Sequence, residues 1–411
     1  MRIPKLFVLM MLSALSTPLA VMPASASDFT LDIFGNANMD DTIDEQDIEY
    51  VRGIIDGANE PTQFADANYD AVIDEKDIAQ IELIIRREEK TLTLIDDSGR
   101  VVTVNKPIQR IATLNYRLPE MLVIIGAKGK IVGVEERFMT RLEDIAQALD
   151  MKDVSVVGTS DEPDYEKVLE LKPDIIITIT SMIDPKDLTE NLPDIPVISL
   201  SVDPIYIIPN LKLLDLIVNE EEGASNIINF MQSYDGAIEE RTKELNPEDM
   251  PTFYLEGPRD FVIYGPSGSP GKIFEGIGGR NIASEIDSVS FDSIEVSSEW
   301  VLEKNPEIII KRDDFLGLDA TEADAEKKLN EFIDGRPEWK VLSSAVRNER
   351  VYLIEGDLIF SPRYLAGRCY LAKWLQPELF EDFNPEDILQ EYYEEFLGIE
   401  YRGIWAYSPT K

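Results

Sequence analysis

Two segments near the start of the chain repeat the same spacing of hydrophobic positions. Their apolar residues are Ile48, Val51, Ile54 and Ile55 in the first segment and Ile78, Ile81, Ile84 and Ile85 in the second. The spacing i, i+3, i+6, i+7 places each set of four side chains on one stripe of a helix. The sequence therefore predicts two amphipathic helices, offset by 30 residues, that pack together through these stripes.

Shorter hydrophobic runs predict strands in the rest of the chain. Residues 91–95 and 100–104 alternate in apolar character on either side of a turn at 96–99, which is typical of a hairpin. From residue 107 onward, runs of Val and Ile alternate with helical patterns. These runs occupy residues 110–114, 131–134, 175–179, 197–200, 252–255, 261–264, 307–311 and 350–354. Strands that are separated by helices indicate a parallel sheet.

A long helix and an internal repeat divide this region into halves. Residues 220–245 carry one apolar stripe, which predicts a helix of 26 residues. Residues 166–177 and 299–310 match at an offset of 133, and each contains a helix, a proline turn and a buried strand. We therefore expect an α/β fold in which two Rossmann-like lobes, residues 91–218 and 247–411, are bridged by a helix over 219–246.

Composition excludes several classes of function. The 411 residues include 79 acids and 39 bases, a net charge of −40 that disfavours nucleic acid as a partner. Histidine is absent, which rules out His-ligated metals and Ser-His or Cys-His catalysis. Cys369 is the only cysteine, so the chain cannot form an internal disulfide. We interpret the acidic excess as a solvated surface.

The first residues have the pattern of a secretory signal. Arg2 and Lys5 supply positive charge, residues 6–21 form an apolar run, and Ala24-Ser25-Ala26 fits a cleavage site. We expect residues 1–27 to be a signal peptide and the protein to be periplasmic or on the outer cell surface. The alternative is an uncleaved signal that tethers the protein to the membrane.

Twelve-residue loops rich in Asp and Asn precede the two amphipathic helices. Ca²⁺ takes oxygen ligands from positions 1, 3, 5, 7, 9 and 12 of such EF-hand-like loops, with position 7 giving its carbonyl. The candidate ligands are Asn36, Asn38, Asp40, Thr42, Asp44 and Asp47 in the first loop and Asp66, Asn68, Asp70, Val72, Asp74 and Asp77 in the second. We expect two Ca²⁺ sites within residues 28–90.

These paired loops and helices resemble dockerins, small all-α EF-hand-like modules that also place Asp at the last loop position. The resemblance leaves open a cohesin-like protein as a partner. Asp41 and Ala71 replace the glycine expected at position 6, and the neutral Asn36 should weaken the first site. The alternative is an acidic helical hairpin that binds no metal.

The remainder of the chain, from about 92 to 398, resembles the helical-backbone class of ABC-transporter solute-binding proteins. The similar segments are 96–104, 107–114, 131–134, 278–282 and 345–348, together with Glu120 and Gly126-Ala127. Members of this class carry ferric siderophores, haem or cobalamin to a membrane permease dimer. The resemblance implies a binding protein and not an enzyme, with an iron chelate or corrinoid held between the lobes.

Loops after the predicted strands supply the candidate ligand-binding residues. These are Asn115, Tyr116, Arg117, Arg137, Arg259, Arg312 and Arg363, with Glu136, Thr180, Ser181, Lys311 and Ser361 beside them. Five arginines in such loops would form a positive patch suited to an anionic chelate, although each also has acids nearby with which to pair. Tyr116 is open to two interpretations, an iron ligand or a packing residue.

Glu166 and Glu299 hold equivalent places in the internal repeat, each at the start of a helix. In the family resembled, one glutamate on each lobe docks to arginines of the two permease subunits. The alternative is a local role, because an acid in the first turn of a helix is stabilised by the helix dipole.

Another function stays open at this point. Dockerin-like modules often accompany glycosidases, which need only two carboxylates, so an exported carbohydrate-active enzyme is the competing hypothesis. A surface protein that uses the module for assembly is a third, although the chain lacks long repeats.

Overall fold

The computed structural model describes residues 30–179, 183–265, 271, 273–286 and 293–409. The predicted signal peptide and the candidate residues Thr180 and Ser181 lie outside this range.

Residues 30–90, which we call the calcium-loop segment, contain the two predicted helices, α1 (Glu45–Ile55) and α2 (Glu75–Ile85). Each helix begins after an aspartate whose carboxylate accepts a backbone hydrogen bond from the first turn. Val51 and Ile81 are fully buried where the two stripes meet. The predicted packing of the two amphipathic helices is therefore present.

The calcium-loop segment is attached firmly to the rest of the molecule. It is followed by the antiparallel hairpin β1 (Thr91–Ile95) and β2 (Val101–Asn105). Ile33 forms a bridge with Leu94 of β1, and the Phe34 N–H donates to the Thr93 carbonyl at 2.9 Å. Because Ile33 also enters the large core of the body, the segment and the body share one hydrophobic interior.

The first lobe, or N-lobe, is built on parallel strands, as predicted. Its strands are β3 (Ile111–Thr113), β4 (Ile131–Val134), β5 (Ser155–Val156), β6 (Ile175–Thr178) and β7 (Val197–Ser199). Within the described chain they lie in the order β5-β4-β3-β6-β7. The chain leaves β3 toward β4 and later returns to its other side at β6. This reversal makes the β3–β6 boundary the switch point, where open α/β sheets bind ligands.

Helices pack on both sides of this sheet and bury its hydrophobic strands. They are α3 (Leu118–Ile124), α4 (Glu136–Arg141), α5 (Glu143–Ala148), α6 (Tyr165–Leu171), α7 (Pro185–Asn191) and α8 (Ile207–Val218), with single 3₁₀ turns at Ala127–Lys130 and Pro204–Tyr206.

The bridging helix is α9 (Glu221–Thr242), whose 22 residues span about 33 Å. It begins and ends slightly inside the predicted bounds. At its start, Gly223 lies so close to the N-lobe that a Cβ would come within 2.1 Å of the Ile125 carbonyl oxygen. Near its end, Arg241 donates two hydrogen bonds to Asp382, at 2.6 and 2.9 Å. None of the helices in the described ranges has the length and apolarity needed to cross a membrane.

The second lobe, or C-lobe, has a mixed sheet. Its strands are β8 (Thr252–Glu256), β9 (Val262–Tyr264), β10 (Arg280–Asn281), β11 (Ser293–Glu295), β12 (Ile308–Arg312), β13 (Val351–Ile354) and β14 (Ala406–Tyr407). The central strands β8, β12 and β13 are parallel, whereas β9, β11 and β14 run antiparallel to their neighbours. The prediction of a parallel sheet was wrong at β9, because the short β8–β9 connection permits only an antiparallel return.

The C-lobe helices flank this sheet and end against α9. They are α10 (Ser298–Lys304), α11 (Glu322–Asp334), α12 (Trp339–Leu342), α13 (Ser344–Arg347), α14 (Asp357–Phe360), α15 (Tyr364–Leu375) and α16 (Pro385–Glu391), with a 3₁₀ turn at Ile282–Glu285 and a π-helical segment at Tyr392–Leu397.

The internal repeat predicted from sequence has the same conformation in both lobes. Lys172 directly follows α6 and Asn305 directly follows α10, and both residues adopt a left-handed conformation, with φ of 47° and 45°. Each helix then leads through a proline turn into a strand, β6 or β12, whose isoleucines are fully buried.

A buried ion pair joins the two lobes. Glu120 on α3 accepts a hydrogen bond from the Arg363 guanidinium at 2.9 Å, and both side chains are completely buried. Tyr392 donates its hydroxyl to the second Glu120 oxygen at 2.8 Å. Arg363 also donates to the Tyr393 hydroxyl at 3.0 Å and to Asp357 at 3.1 Å. The charge of Glu120 is therefore neutralised by the C-lobe.

This pair predicts a large difference between two substitutions. Glu120→Ala leaves Arg363 buried with only Asp357 as a counter-charge, so we expect the free energy of unfolding to fall by about 3–5 kcal/mol. Asp382→Ala breaks the exposed Arg241–Asp382 pair and should cost much less, because solvent screens exposed pairs. Urea denaturation measures both. Equal losses in the two variants would show that the buried pair contributes no more to the free energy of unfolding than the exposed pair.

Candidate functional site

The candidate ligand site is a cavity of about 410 Å³ between the two lobes. Its walls are formed by Tyr116, Arg117, Arg141 and Leu142 from the N-lobe and by Pro258, Lys311, Arg312, Asp313, Asp314, Phe315, Glu355 and Asp357 from the C-lobe. Most of these residues follow the carboxyl ends of β3, β12 and β13 or lie on the adjoining helices. The cavity therefore occupies the edge of the sheets where α/β proteins bind ligands.

Two arginines on the N-lobe wall keep their charge available. The Arg117 guanidinium lies 4.7 Å from the centre of the Tyr116 ring and 5.7 Å from that of Phe360, and Arg141 lies 5.8 Å from the Tyr116 ring. Aromatic faces orient a guanidinium without neutralising it. Among the side chains that the structure describes, no carboxylate lies within 4.0 Å of either arginine. The buried Arg117 Nε also lacks a hydrogen-bond partner there.

The cations of the C-lobe wall are already engaged. Lys311 pairs with the buried Glu256 at 2.9 Å and donates to the Gly257 carbonyl at 2.7 Å. Arg312 pairs with Asp314 at 2.6 Å and donates to the Tyr264 hydroxyl at 2.9 Å. These two residues shape the cavity but contribute less free positive charge than the N-lobe arginines.

Acidic groups complete the C-lobe wall. Asp357 pairs with Arg363, and Asp313 accepts a hydrogen bond from the Phe315 N–H at 2.9 Å. Glu355 is almost fully buried, and its pKa is held well above the usual range by burial and by the nearby Asp357 and Asp314 carboxylates, against the opposing effect of Arg363. The cavity therefore has a cationic N-lobe side and a C-lobe side that is close to neutral.

The structure brings only part of the predicted ligand-binding set together. Tyr116, Arg117, Arg312 and Lys311 line the cavity. Asn115 is buried behind them, where its side-chain oxygen accepts from the Arg117 N–H at 3.0 Å and so fixes the loop.

The other predicted arginines lie elsewhere. Arg363 is buried in the pair with Glu120, and Asp357 forms this part of the cavity wall. Arg137 is held by Glu135 and by Asp161, and Arg259 is exposed outside the cavity. Glu136 begins α4, and the Ser361 hydroxyl accepts a hydrogen bond from Arg363.

Sequence reasoning missed several residues of the wall. Arg141 was not predicted because it is the last residue of α4, whereas only loop residues that directly follow strands were considered. Its position four residues after Arg137, on the same face of the helix, was the available signal. Glu355 directly follows β13, so the rule that selected Arg117 selects it too. It was passed over because the search was for positive charge.

In the second loop of the calcium-loop segment, side-chain oxygens bond to the backbone of the same loop. Asp66 accepts from the Ala71 N–H at 2.8 Å, Asn68 from the Asp70 N–H at 2.9 Å, and Asp70 from the Val72 N–H at 3.0 Å. Tyr69 and Ala71 adopt left-handed conformations, with φ of 58° and 69°. Ala71 thus takes the strained conformation for which position 6 normally uses glycine.

The first loop differs from the second. Asn36 donates its amide to the Leu31 and Asp40 carbonyls at 2.8 and 2.6 Å, and its buried oxygen has no partner among the described residues. Asp41 at position 6 forms an ion pair with Lys212 of the N-lobe. The first loop is thereby part of the contact between segment and body.

The last loop positions are held in the same way in both loops. Asp47 is buried and accepts from the Asn38 N–H at 3.1 Å and the Asp44 N–H at 2.8 Å, and burial raises its pKa to about 6. Burial also raises the pKa of Asp77. Lys76 lies 3.2 Å from both Asp70 and Asp74, where it balances the charge of the second loop.

The loop carboxylates do not converge on one point. Across the described ranges, no group of three or more acidic side chains is arranged to hold a metal ion. Ca²⁺ binding would therefore require the loop side chains to move together and Lys76 to withdraw.

The two predicted docking acids occupy equivalent positions. Glu166 and Glu299 are each the second residue of their helix, α6 and α10, and both are exposed. Neither has a Lys or Arg within 4.0 Å in the described part of the chain.

Comparison with known proteins agrees with this architecture. The periplasmic binding protein FepB from Veillonella parvula, described as TroA-like, superimposes with a TM-score of 0.66 at 26% identity, over 77% of this chain and 99% of FepB. The molybdate-binding protein MolA from Haemophilus influenzae, with molybdate bound, superimposes with a TM-score of 0.62 at 20% identity, over 76% of this chain and 99% of MolA.

Sequence comparison gives the same assignment. The curated MolA sequence is 22% identical over 283 residues, which cover 62% of this chain and 76% of MolA. Residues 111–358, more than half of the chain, match the family described as periplasmic binding protein. The described part of that match runs from β3 of the N-lobe to α14 of the C-lobe and includes the bridging helix. The chain therefore belongs to the periplasmic binding protein family.

Proposed function

We propose that this protein binds a small anionic metal-containing solute, such as an iron chelate, in the cleft between its lobes and delivers it to an ABC importer in the membrane. The observation that carries this proposal is the pair Arg117 and Arg141, which face the cavity without a described carboxylate partner. In a chain with a net charge of −40, two unneutralised guanidinium groups in one cavity favour an anion as the ligand.

The size of the cavity limits which ligands can bind. About 410 Å³ lies toward the lower end of the range of roughly 300–1,000 Å³ that is usual for small-molecule pockets. A compact ferric chelate or a metal oxyanion fits this volume with the lobes as they stand, whereas haem or a corrinoid requires the lobes to separate. MolA, which has this fold, is crystallised with molybdate, an oxyanion of this kind.

The competing enzyme hypothesis has less support. Asp314 and Asp357 in the cleft are tied to Arg312 and Arg363, so they do not form a free pair of catalytic carboxylates. Membership of a family of solute-binding transport proteins also favours binding over catalysis.

Native mass spectrometry of the protein purified from its own cells tests the proposal directly. We expect an additional mass that corresponds to one metal-containing anion. A protein that carries no small molecule and binds none of molybdate, ferric citrate or a ferric catecholate would contradict it.

Substitution of the cleft arginines tests where the ligand binds. Arg117→Ala and Arg141→Ala each remove charge-assisted hydrogen bonds, so affinity should fall by about 1.5–3 kcal/mol in each variant. Isothermal titration calorimetry with the anions above gives the values. Arg137→Ala and Arg259→Ala lose the same charge outside the cavity and serve as matched controls. An equal loss in these controls would mean that overall charge, and not the cleft, governs binding.

We also propose that the loops of the calcium-loop segment bind Ca²⁺. Support comes from the side-chain oxygens at positions 1, 3, 5, 9 and 12 of each loop, the left-handed residues of the second loop and the unpartnered buried oxygen of Asn36. The Lys76 ammonium pairs with Asp70 and Asp74, two of the proposed ligands of the second loop. A cohesin-like partner for this segment is a further part of the proposal.

Asp47 gives this proposal one test without metal and one with it. Without calcium, the wild type should lose about 1–3 kcal/mol of stability as pH rises from about 4 to 6, where the unfolded chain ionises but the folded Asp47 keeps its proton. Asp47→Asn cannot ionise and should lack this loss, although its amide offers only one acceptor oxygen to the Asn38 and Asp44 N–H groups and so lowers stability at every pH. With calcium, the same substitution removes a ligand and should lower calcium affinity.

Thermal unfolding with EDTA and calcium titration calorimetry measure the two effects. Asp56→Asn changes an exposed carboxylate at the end of α1 and should alter neither. An Asp47→Asn variant that binds calcium as tightly as the wild type would count against the site.

Delivery to the importer is proposed to use Glu166 and Glu299. A two-fold symmetric permease pair needs one equivalent acid on each lobe, and the repeated α6 and α10 helices supply it. Glu166→Arg combined with Glu299→Arg should abolish uptake while ligand affinity and melting temperature stay unchanged, because rim charges mainly set association rate and register. Glu170→Arg with Glu303→Arg makes the same charge change on the same two helices and should leave uptake intact. Equal uptake by both double variants would refute the docking role.

A further inference from the structure

One acidic residue in the cleft has no counter-ion. Glu355 follows β13 directly, and one of its carboxyl oxygens accepts a hydrogen bond from the Asp357 N–H. Among the described residues, the other oxygen has no hydrogen-bond partner, and no Lys or Arg lies within 4.0 Å of the carboxyl group. The side chain forms part of the cavity wall although the residue is only 7% exposed.

The surroundings of Glu355 explain why it stays without a partner. The acids around it are Asp313, Asp314 and Asp357, and the cations around the same cavity are Arg117, Arg141, Lys311, Arg312 and Arg363. Arg363 is drawn to Glu120, Lys311 to Glu256 and Arg312 to Asp314. Arg117 and Arg141 stand on the opposite, N-lobe wall.

Burial and the like charges of Asp357 and Asp314 favour the protonated form of Glu355, against the opposing effects of Arg363 and of the hydrogen bond from the Asp357 N–H. The acids of this wall also form no group that could hold a metal ion, within the ranges that the structure describes. A protonated carboxyl group in such a place is a hydrogen-bond donor, which its ionised form is not.

We propose that Glu355 binds the anionic ligand as a neutral carboxylic acid, donating a hydrogen bond from the C-lobe wall while Arg117 and Arg141 bind the same anion from the N-lobe wall. This inference rests on the proposed function of the cleft and adds a specificity residue to it. In a cavity of about 410 Å³, an ionised Glu355 would repel the anion that the arginines attract.

Anion binding is then linked to one proton. Where Glu355 is already protonated in the free protein, binding takes up no proton and affinity is independent of pH. Above the pH at which the free protein loses this proton, the complex must take one up from solution. Affinity then falls tenfold for each further pH unit. The protonated Glu355 would also select for anions. A ligand that presents a cationic or metal-aquo face to the C-lobe gains no binding energy from a neutral hydrogen-bond donor.

The test is isothermal titration calorimetry of the full-length protein with molybdate and with ferric citrate between pH 5.5 and 9.5. Glu355→Gln keeps a donor of similar shape but cannot ionise. Its affinity should stay within a few fold of the wild type at low pH and should lack the tenfold decline. Glu355→Ala should bind more weakly at low pH because the donor is lost. Asp161→Asn, a carboxylate change outside the cavity, should retain the wild-type profile.

The outcomes separate this inference from the proposed function. Binding that depends on Arg117 and Arg141 but has the same affinity in wild type, Glu355→Gln and Glu355→Ala at every pH overturns the role of Glu355 and leaves the anion site standing. Wild-type affinity that rises with pH while that of Glu355→Gln does not shows an ionised Glu355 and also overturns it. Failure of wild type to bind either anion at any pH removes both proposals. Melting temperatures confirm that each variant is folded.

Discussion

The contact between Glu120 and Arg363 determines how the two lobes face each other. A guanidinium taken out of water needs its charge balanced and its N–H groups bonded. For Arg363 those requirements are met jointly by Glu120 of the N-lobe, by Asp357 and by Tyr393. Separation of the lobes at this point would leave Glu120 and Arg363 each without its ionic partner. The cleft therefore lies beside a fixed joint.

The same network reaches the ligand cavity through Asp357. This residue is shared between Arg363 in the interior and the cavity wall, and its N–H holds Glu355. The positions of the C-lobe acids are thus set by the pair that joins the lobes. Across the cavity, Arg117 is set by aromatic rings and by Asn115. Both walls are organised before a ligand arrives, which reduces the ordering cost of binding.

Surface charge and cleft charge have opposite effects on an anion. The net charge of −40 repels it at long range, whereas Arg117 and Arg141 attract it at contact. Salt screens exposed charges beyond about 10 Å at 0.1 M, so moderate ionic strength weakens the repulsion more than the contacts in the cavity.

Local patterns in the sequence predicted the elements well. The stripes of α1 and α2, the buried strands of the N-lobe and the repeat that contains α6 and α10 depend on periodicity within a few turns. Arg117 and Arg312, which line the cavity, were selected by the rule that ligands bind after strand ends. Arg363 met the same rule but lies in the interior, because its partner Glu120 is 243 positions away in the sequence. Pairing over such distances leaves no trace in local spacing. Glu355, by contrast, follows β13 directly and was missed because the search was for positive charge.

The attachment of the calcium-loop segment has a mechanical consequence. Ile33 pairs with the hairpin strand, Asp41 with Lys212, and Arg87 with Asp215 at 2.7 Å. Lys212 and Asp215 both lie on α8, which packs against the bridging helix. These contacts fix the orientation of the segment relative to α8 and the bridging helix. A molecule bound to the loops of the segment would therefore also set the orientation of the cleft.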